Sequence, residues 1–162
     1  MSLAYLPEHA DEARNALDLA EREAAHLAYT ARTLFSADID PQWVREIAAN
    51  EERAEKIDAF VSRFGRLQDH IGEKLIPRFA QLLGETPRSL LDTLAYAERM
   101  GWLDSADEFI GARRLRNQLI HEYLTNPELF LEALKAAEEA SYLLIDIVRR
   151  MRSEASRLQL PG

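Results

Sequence analysis

One short stretch, Arg116-Asn117-Gln118-Leu119-Ile120-His121-Glu122-Tyr123, gathers an arginine, a carboxamide, an imidazole and a phenol within about two helical turns. No other stretch of the chain concentrates so many groups capable of chemistry. These residue types suit the cutting of RNA without a metal. Histidine takes or gives a proton near neutral pH. Arginine grips a non-bridging phosphate oxygen with two donors and stabilises the charge that builds in the transition state. Asparagine can orient the histidine or donate to the phosphate. The nucleophile is then the 2′-hydroxyl of the RNA itself, so neither a protein nucleophile nor a cofactor is called for.

The spacing sets a geometric condition. On a continuous helix Arg113, Asn117 and His121 fall at successive i, i+4 positions and make one polar line. Arg116 and Tyr123, seven apart, share a second. Arg116 and His121 are five apart and so lie about 140° apart around the axis. Either the helix ends or bends near His121, or a second copy of the chain completes the site. Asn126-Pro127, just downstream, suits an ending, because the residue before a proline leaves the helical region. One histidine per chain is also hard to use as both acid and base, a difficulty that a symmetric dimer with two motifs in one cleft removes. The plainer reading is that Arg116 and His121 are structural, which predicts that Arg116→Ala lowers thermal stability. His9, His26 and His70 read as surface or core-edge residues without metal-ligand spacing. Asp69 and His70 are neighbours on a helix, so their side chains diverge and they are not read as a dyad.

The elements that position the motif are all helical. Period-two alternation is missing, whereas helical periodicity runs nearly from end to end. A first helix is predicted from Pro7, with Ala13, Leu17, Ala20, Ala24, Leu27, Ala31 and Leu34 as its inner stripe and an acidic face that reads as solvated. Asp40-Pro41 is a cap and start, and Asn50 marks a break. The stripe Ile57, Phe60, Phe64, Leu67, Ile71, Leu75, Phe79 and Leu82 follows, with a kink or break expected at Pro77. Thr86-Pro87 predicts a helix from Pro87 to Met100, with Leu90, Leu91, Leu94 and Ala97 inward and Gly101 as its terminator. Ser105 and Glu108 form a capping box that opens the motif helix, whose inner face is Ala112, Leu115 and Leu119. Asn126-Pro127 opens the last helix, with the seam Phe130, Leu134, Ala137, Ser141, Leu144, Val148 and Met151. The expectation is an all-α antiparallel bundle of about five helices in one domain, 1–162. It has an acidic helical portion over about 7–50 and a motif-bearing half over about 60–157.

The chain has 162 residues, 28 acids and 20 lysines and arginines, for a net charge of −8. Residues 1–60 hold 13 acids and 6 bases, so the imbalance lies at the front. This is not the footprint of a duplex-DNA binder, which must neutralise phosphates. Any nucleic-acid contact has to be local, at Arg113, Arg114 and Arg116 or at Arg149, Arg150, Arg152 and Arg157. Cysteine is absent, which excludes disulfides and thiolate metal sites. No apolar run reaches the roughly 20 residues of a membrane span, and the N-terminus lacks a signal-peptide pattern. The expected compartment is the cytoplasm, with no membrane association.

The string from Arg113 to Tyr123, an Arg, four residues, a His, one residue and a Tyr, with a polar residue directly after the Arg, resembles the signature of the HEPN domain superfamily. Within it the string looks most like the HepT-like toxins, small helical ribonucleases paired with a minimal nucleotidyltransferase antitoxin. Met100-Gly101-Trp102-Leu103 and Asn126-Pro127-Glu128 add to the likeness, which covers about Phe60 to Met151. The resemblance implies a homodimer with the Arg and His of both chains lining a cleft. It assigns Arg116 and His121 as the catalytic pair, Asn117 as the polar accessory, and Tyr123 as the residue the nucleotidyltransferase modifies with AMP. Arg113 and Arg114 are then the RNA-binding cations, with no cofactor and no metal. The alternative is a non-catalytic helical module that binds nucleotides or docks a nucleotidyltransferase.

Overall fold

The computed structural model describes residues 4–162. After a 3₁₀ turn at Pro7–His9, α1 runs Ala10–Leu34, α2 Pro41–Arg45, α3 Glu51–His70, α4 Ile76–Leu82, α5 Leu90–Arg99, α6 Ala106–Glu122 and α7 Pro127–Arg157. Among the described residues there is no strand. Local chemistry sets the starts. Asp40 accepts from the Trp43 N–H at 2.8 Å, Asn50 from Arg53 at 3.1 Å and Asn126 from Leu129 at 3.0 Å, so each side chain satisfies an otherwise orphaned amide of the first turn. Gly101, at φ 77°, turns the chain out of α5 in the conformation glycine adopts most cheaply.

Four long helices form the bundle. α1 packs on α3 and α7, and α6 packs on α7 and α3. The cross-contacts give the directions. Arg63 reaches His26 while His70 reaches Ala16, and Gly65 lies against Arg116 while Gly72 lies against Phe109. Tyr123 packs near Phe130 while Asp104 pairs with Arg150. In each pair one partner's number rises as the other's falls, so these neighbours are antiparallel. All seven residues of the α1 stripe, all eight of the Ile57–Leu82 stripe and all seven of the α7 seam are buried.

The break near Pro77 takes the form of a π turn, Ile71–Leu75, after which Pro77 sits in the first turn of α4 where no N–H is needed. The predicted start at Thr86-Pro87 is displaced. Ser89 is the cap, accepting from the Asp92 N–H at 3.1 Å, and α5 begins at Leu90. Leu91, predicted inward, is exposed, because α5 lies at the bundle's edge and buries only the narrow stripe Thr93, Leu94 and Ala97. Only half of the Ser105 box forms. Ser105 caps Glu108, while the Ala106 amide donates to the Glu98 carboxylate at 3.0 Å. Nor is the acidic face of α1 wholly solvated, since Asp18 and Glu21 both take Arg152 of α7. Among the described residues no helix is long and apolar enough to cross a membrane.

Candidate functional site

α6 carries the motif and lies against α3. Phe109, Ala112 and Leu119 are its buried residues, and Leu115 is half-buried at the edge of the core. Arg116, one residue round from Leu115, therefore leaves the helix along the α3 seam. There Gly65 of α3 gives it room. A Cβ at Gly65 would lie 2.5 Å from Arg116 Nε, 2.8 Å from Cζ and 3.0 Å from Cδ. Passing over Gly65, the guanidinium reaches Asp69, and Nη1 donates to both carboxylate oxygens at 2.9 Å. Nε and Nη2 have no acceptor among the described residues. One turn away, Gln68 Nε2 donates to the Ala112 carbonyl at 3.0 Å, which fixes the register of α3 against α6. His70, adjacent to Asp69, points the other way: its Nε2 lies 2.7 Å from the Ala16 carbonyl of α1, and the ring is buried. Asp69 and His70 thus serve different helices.

Beside Arg116 a groove of about 310 Å³ opens between α3 and α6. Ile57, Val61, Leu119 and Ile120 give it apolar walls, and Asp58, Ser62, Arg116 and Tyr123 give it polar groups. Arg116 and Tyr123, placed on one line by their spacing of seven, do share this groove. The Tyr123 ring sits 5.6 Å from that of Phe130. Burial raises the Tyr123 phenol above its ordinary pKa, and the carboxylates of Asp58 and Glu51 raise it further. The phenol therefore stays protonated at neutral pH. Just past Tyr123 the chain turns sharply. Leu124 takes φ 62°, a left-handed conformation costly for a branched residue. The same turn satisfies the end of α6: Thr125 and Asn126 amides donate to the Glu122 carbonyl, and the Thr125 hydroxyl to that of His121.

The other motif residues face elsewhere. Asn117 and His121 are exposed and lie outside the groove. α6 runs unbroken through His121 to Glu122, so the helix does not bend to bring His121 to Arg116. Arg114 is exposed, and Arg113 borders a separate opening beside α5, with Glu73, Arg88 and Thr93. Neither forms an ion pair among the described residues. The second basic cluster is different. Arg149 pairs with Asp146, Arg150 with Asp146 and Asp104, Arg152 with Asp18 and Glu21, and Arg157 with Glu154. Its charge is matched internally and does not make an anion-binding surface.

No family model, curated protein or solved structure matches this chain. What the site can do must follow from its own side chains. They are a tethered guanidinium with donors to spare, an exposed imidazole on the far side of the same helix, and a protonated phenol in an apolar groove.

A second polar cleft, of about 180 Å³, lies between α1 and α3 and is lined by Glu23, His26, Arg63 and Arg66. Glu23 Oε2 is buried there without a partner. Burial raises the Glu23 carboxyl above its ordinary pKa, and His70 and Arg66 pull it back only in part. Arg63 is occupied by the His26 carbonyl and the Thr30 hydroxyl, and Arg66 by Ser62. Sequence spacing did not single out Asp69, Gly65 or Glu23, because the meaning of each comes from another helix.

Proposed function

We propose that the chain is a metal-independent endoribonuclease of the HEPN type. It acts in the cytoplasm as a symmetric homodimer, the toxin of a toxin–antitoxin pair whose antitoxin is a nucleotidyltransferase. The observation that supports this reading is the state of Arg116. Asp69 holds it by one nitrogen, so its remaining donors sit beside an open groove, while His121 on the same helix is exposed. A two-fold axis near the exposed side of α6 brings His121 of each protomer to the Arg116 of the other. One imidazole takes the 2′-hydroxyl proton as the 2′-oxygen attacks phosphorus. The second protonates the 5′-oxygen as the P–O5′ bond breaks, and Arg116 carries the charge on the non-bridging oxygens. The products are a 2′,3′-cyclic phosphate and a 5′-hydroxyl. Asn117 is the accessory polar group, Arg113 and Arg114 steer RNA, and Tyr123 is the AMP acceptor.

A second reading has an observation of its own. Ile120 and Leu124, 58% and 59% exposed, sit beside the motif, and the charge of Arg116 is already matched by Asp69. Such a face suits a non-catalytic module that docks a nucleotidyltransferase. The deciding experiment is cleavage of a mixed RNA pool in EDTA by wild type and His121→Ala. Cyclic-phosphate ends from the wild type alone support the ribonuclease. No cleavage by a folded, unmodified wild type supports the docking module.

A further inference from the structure

We infer that the groove between α3 and α6 seats one guanine nucleotide of the RNA, with Asp58 reading the base and Arg116 holding the phosphate. This assignment rests on the ribonuclease reading and names the substrate for the same site. The groove has the length of one nucleotide. Asp58 and Gly65 are seven residues apart on α3, and Arg116 and Tyr123 seven apart on α6, so each helix spaces the two ends of the groove by about 10 Å. That is the reach of one nucleotide from its phosphate to the far edge of its base.

The polar groups are distributed to match. Arg116, positioned over Gly65, stands at one end with Nε and Nη2 unclaimed. Asp58 stands toward the other end, near enough to Tyr123 to raise its pKa. Asp58 is exposed and has no ion pair or side-chain hydrogen bond among the described residues, so both its oxygens are open acceptors. Between the ends the walls are the apolar side chains of Ile57, Val61, Leu119 and Ile120. The ligand this fits is anionic at one end, apolar-faced in the middle and rich in donors at the other.

Among the bases the carboxylate chooses guanine. Its N1–H and N2–H₂ are adjacent donors that match the two oxygens of one carboxylate. Adenine and cytosine offer an exocyclic amine beside a ring acceptor, and uracil sets its one N–H between two carbonyls, so each places an acceptor against Asp58. A lost pairing of this kind discriminates by about tenfold or more.

The test uses the full chain. Calorimetric titration with 5′-GMP and with 5′-AMP is run on wild type, Asp58→Ala and Arg116→Ala, and the ends of a cleaved RNA pool are sequenced for the first two. Asp58 is unpaired and exposed, and alanine suits a helix, so Asp58→Ala folds. The expected result is GMP bound about tenfold or more tighter than AMP by the wild type. Asp58→Ala brings GMP down to the level of AMP, Arg116→Ala loses both, and cut sites flank guanine in the wild type but spread over all four bases in Asp58→Ala. Equal affinities, or the same cut-site pattern in both proteins, overturns the assignment. So does the absence of nucleotide binding, and a dimer that dissociates on Ile120→Asp would then identify a second copy as the occupant. The two readings separate cleanly. GMP preference without RNA cleavage keeps the guanine site and removes the ribonuclease, whereas His121-dependent cleavage without guanine preference does the reverse.

Discussion

Gly65→Ala is the smallest change that moves Arg116 without altering any charge. The new methyl would lie 2.5 Å from Nε and 2.8 Å from Cζ, where a carbon needs about 3.5 Å. The guanidinium must therefore shift by about 1 Å, and it can, because it is the far end of a flexible side chain 35% exposed. The fold is spared. Replacing glycine by alanine within a helix adds about 1 kcal/mol of stability. Weakening a half-exposed ion pair removes about 0.5 kcal/mol. The net is a gain of about 0.5 kcal/mol, so the melting temperature should move by no more than about 3 °C. Activity responds on another scale, since a displacement of about 1 Å at a group that meets the transition state costs about a hundredfold. The assay is kcat/KM on RNA in EDTA, beside a thermal melt. A loss of about a hundredfold with an unchanged melt supports the role of the Gly65–Asp69 track in aiming Arg116. If Gly65→Ala cleaves as well as wild type while Arg116→Ala is dead, the aim of Arg116 does not depend on that track and the reasoning is refuted.

Two further outcomes follow from other parts of the molecule. Tyr123→Phe keeps the ring that walls the groove and packs near Phe130, so RNA is still cleaved. It removes the proposed AMP acceptor, and intact mass after incubation with a nucleotidyltransferase partner and ATP should show no added AMP; an AMP-sized mass gain in the Phe variant contradicts the assignment. Glu23 has a raised carboxyl pKa from burial, so the fold favours its protonated form. That contribution is present below the ordinary carboxyl pKa and lost as pH rises through the raised value. Once ionised, Glu23 therefore burdens the fold. Glu23→Gln should melt higher than wild type at pH 7, with the gap closing in acid; an equal or lower melt at pH 7 shows that the buried oxygen carries no net penalty.

Elements whose signals are local were legible in the chain. Caps at Asp40, Asn50 and Asn126 lie within three residues of the amides they satisfy, and the stripes of α1, α3 and α7 repeat at helical spacing over many turns. The start of α5 was misplaced because Thr86-Pro87 and Ser89 offer competing local signals, and only packing of the edge helix decides between them. The cluster from Arg149 to Arg157 reads as a positive stretch, yet some of its acids lie one helical turn away and others on α1 or in the loop before α6. The track that aims Arg116 was not legible at all. Arg116 and Asp69 are 47 residues apart, and no periodicity marks Gly65 as the point where one side chain must cross another helix.

The geometry of α6 also narrows how the proposed chemistry can be assembled. Spacing left two routes for joining Arg116 to His121: a helix that ends or bends near His121, or a second chain. α6 stays helical through Glu122, and its sharp turn comes after the motif, at Leu124. Within one chain the two side chains therefore stay about 140° apart around the axis. A catalytic role for both then requires a partner copy, and a two-fold axis supplies acid and base together, since each protomer's arginine meets the other's histidine. Monomeric protein that cleaved RNA with both residues essential would break this chain of inference, whatever the products. Sedimentation of the active species at the concentration of the cleavage assay decides the point. An obligate dimer whose activity falls on dilution in step with dissociation is the outcome this geometry demands.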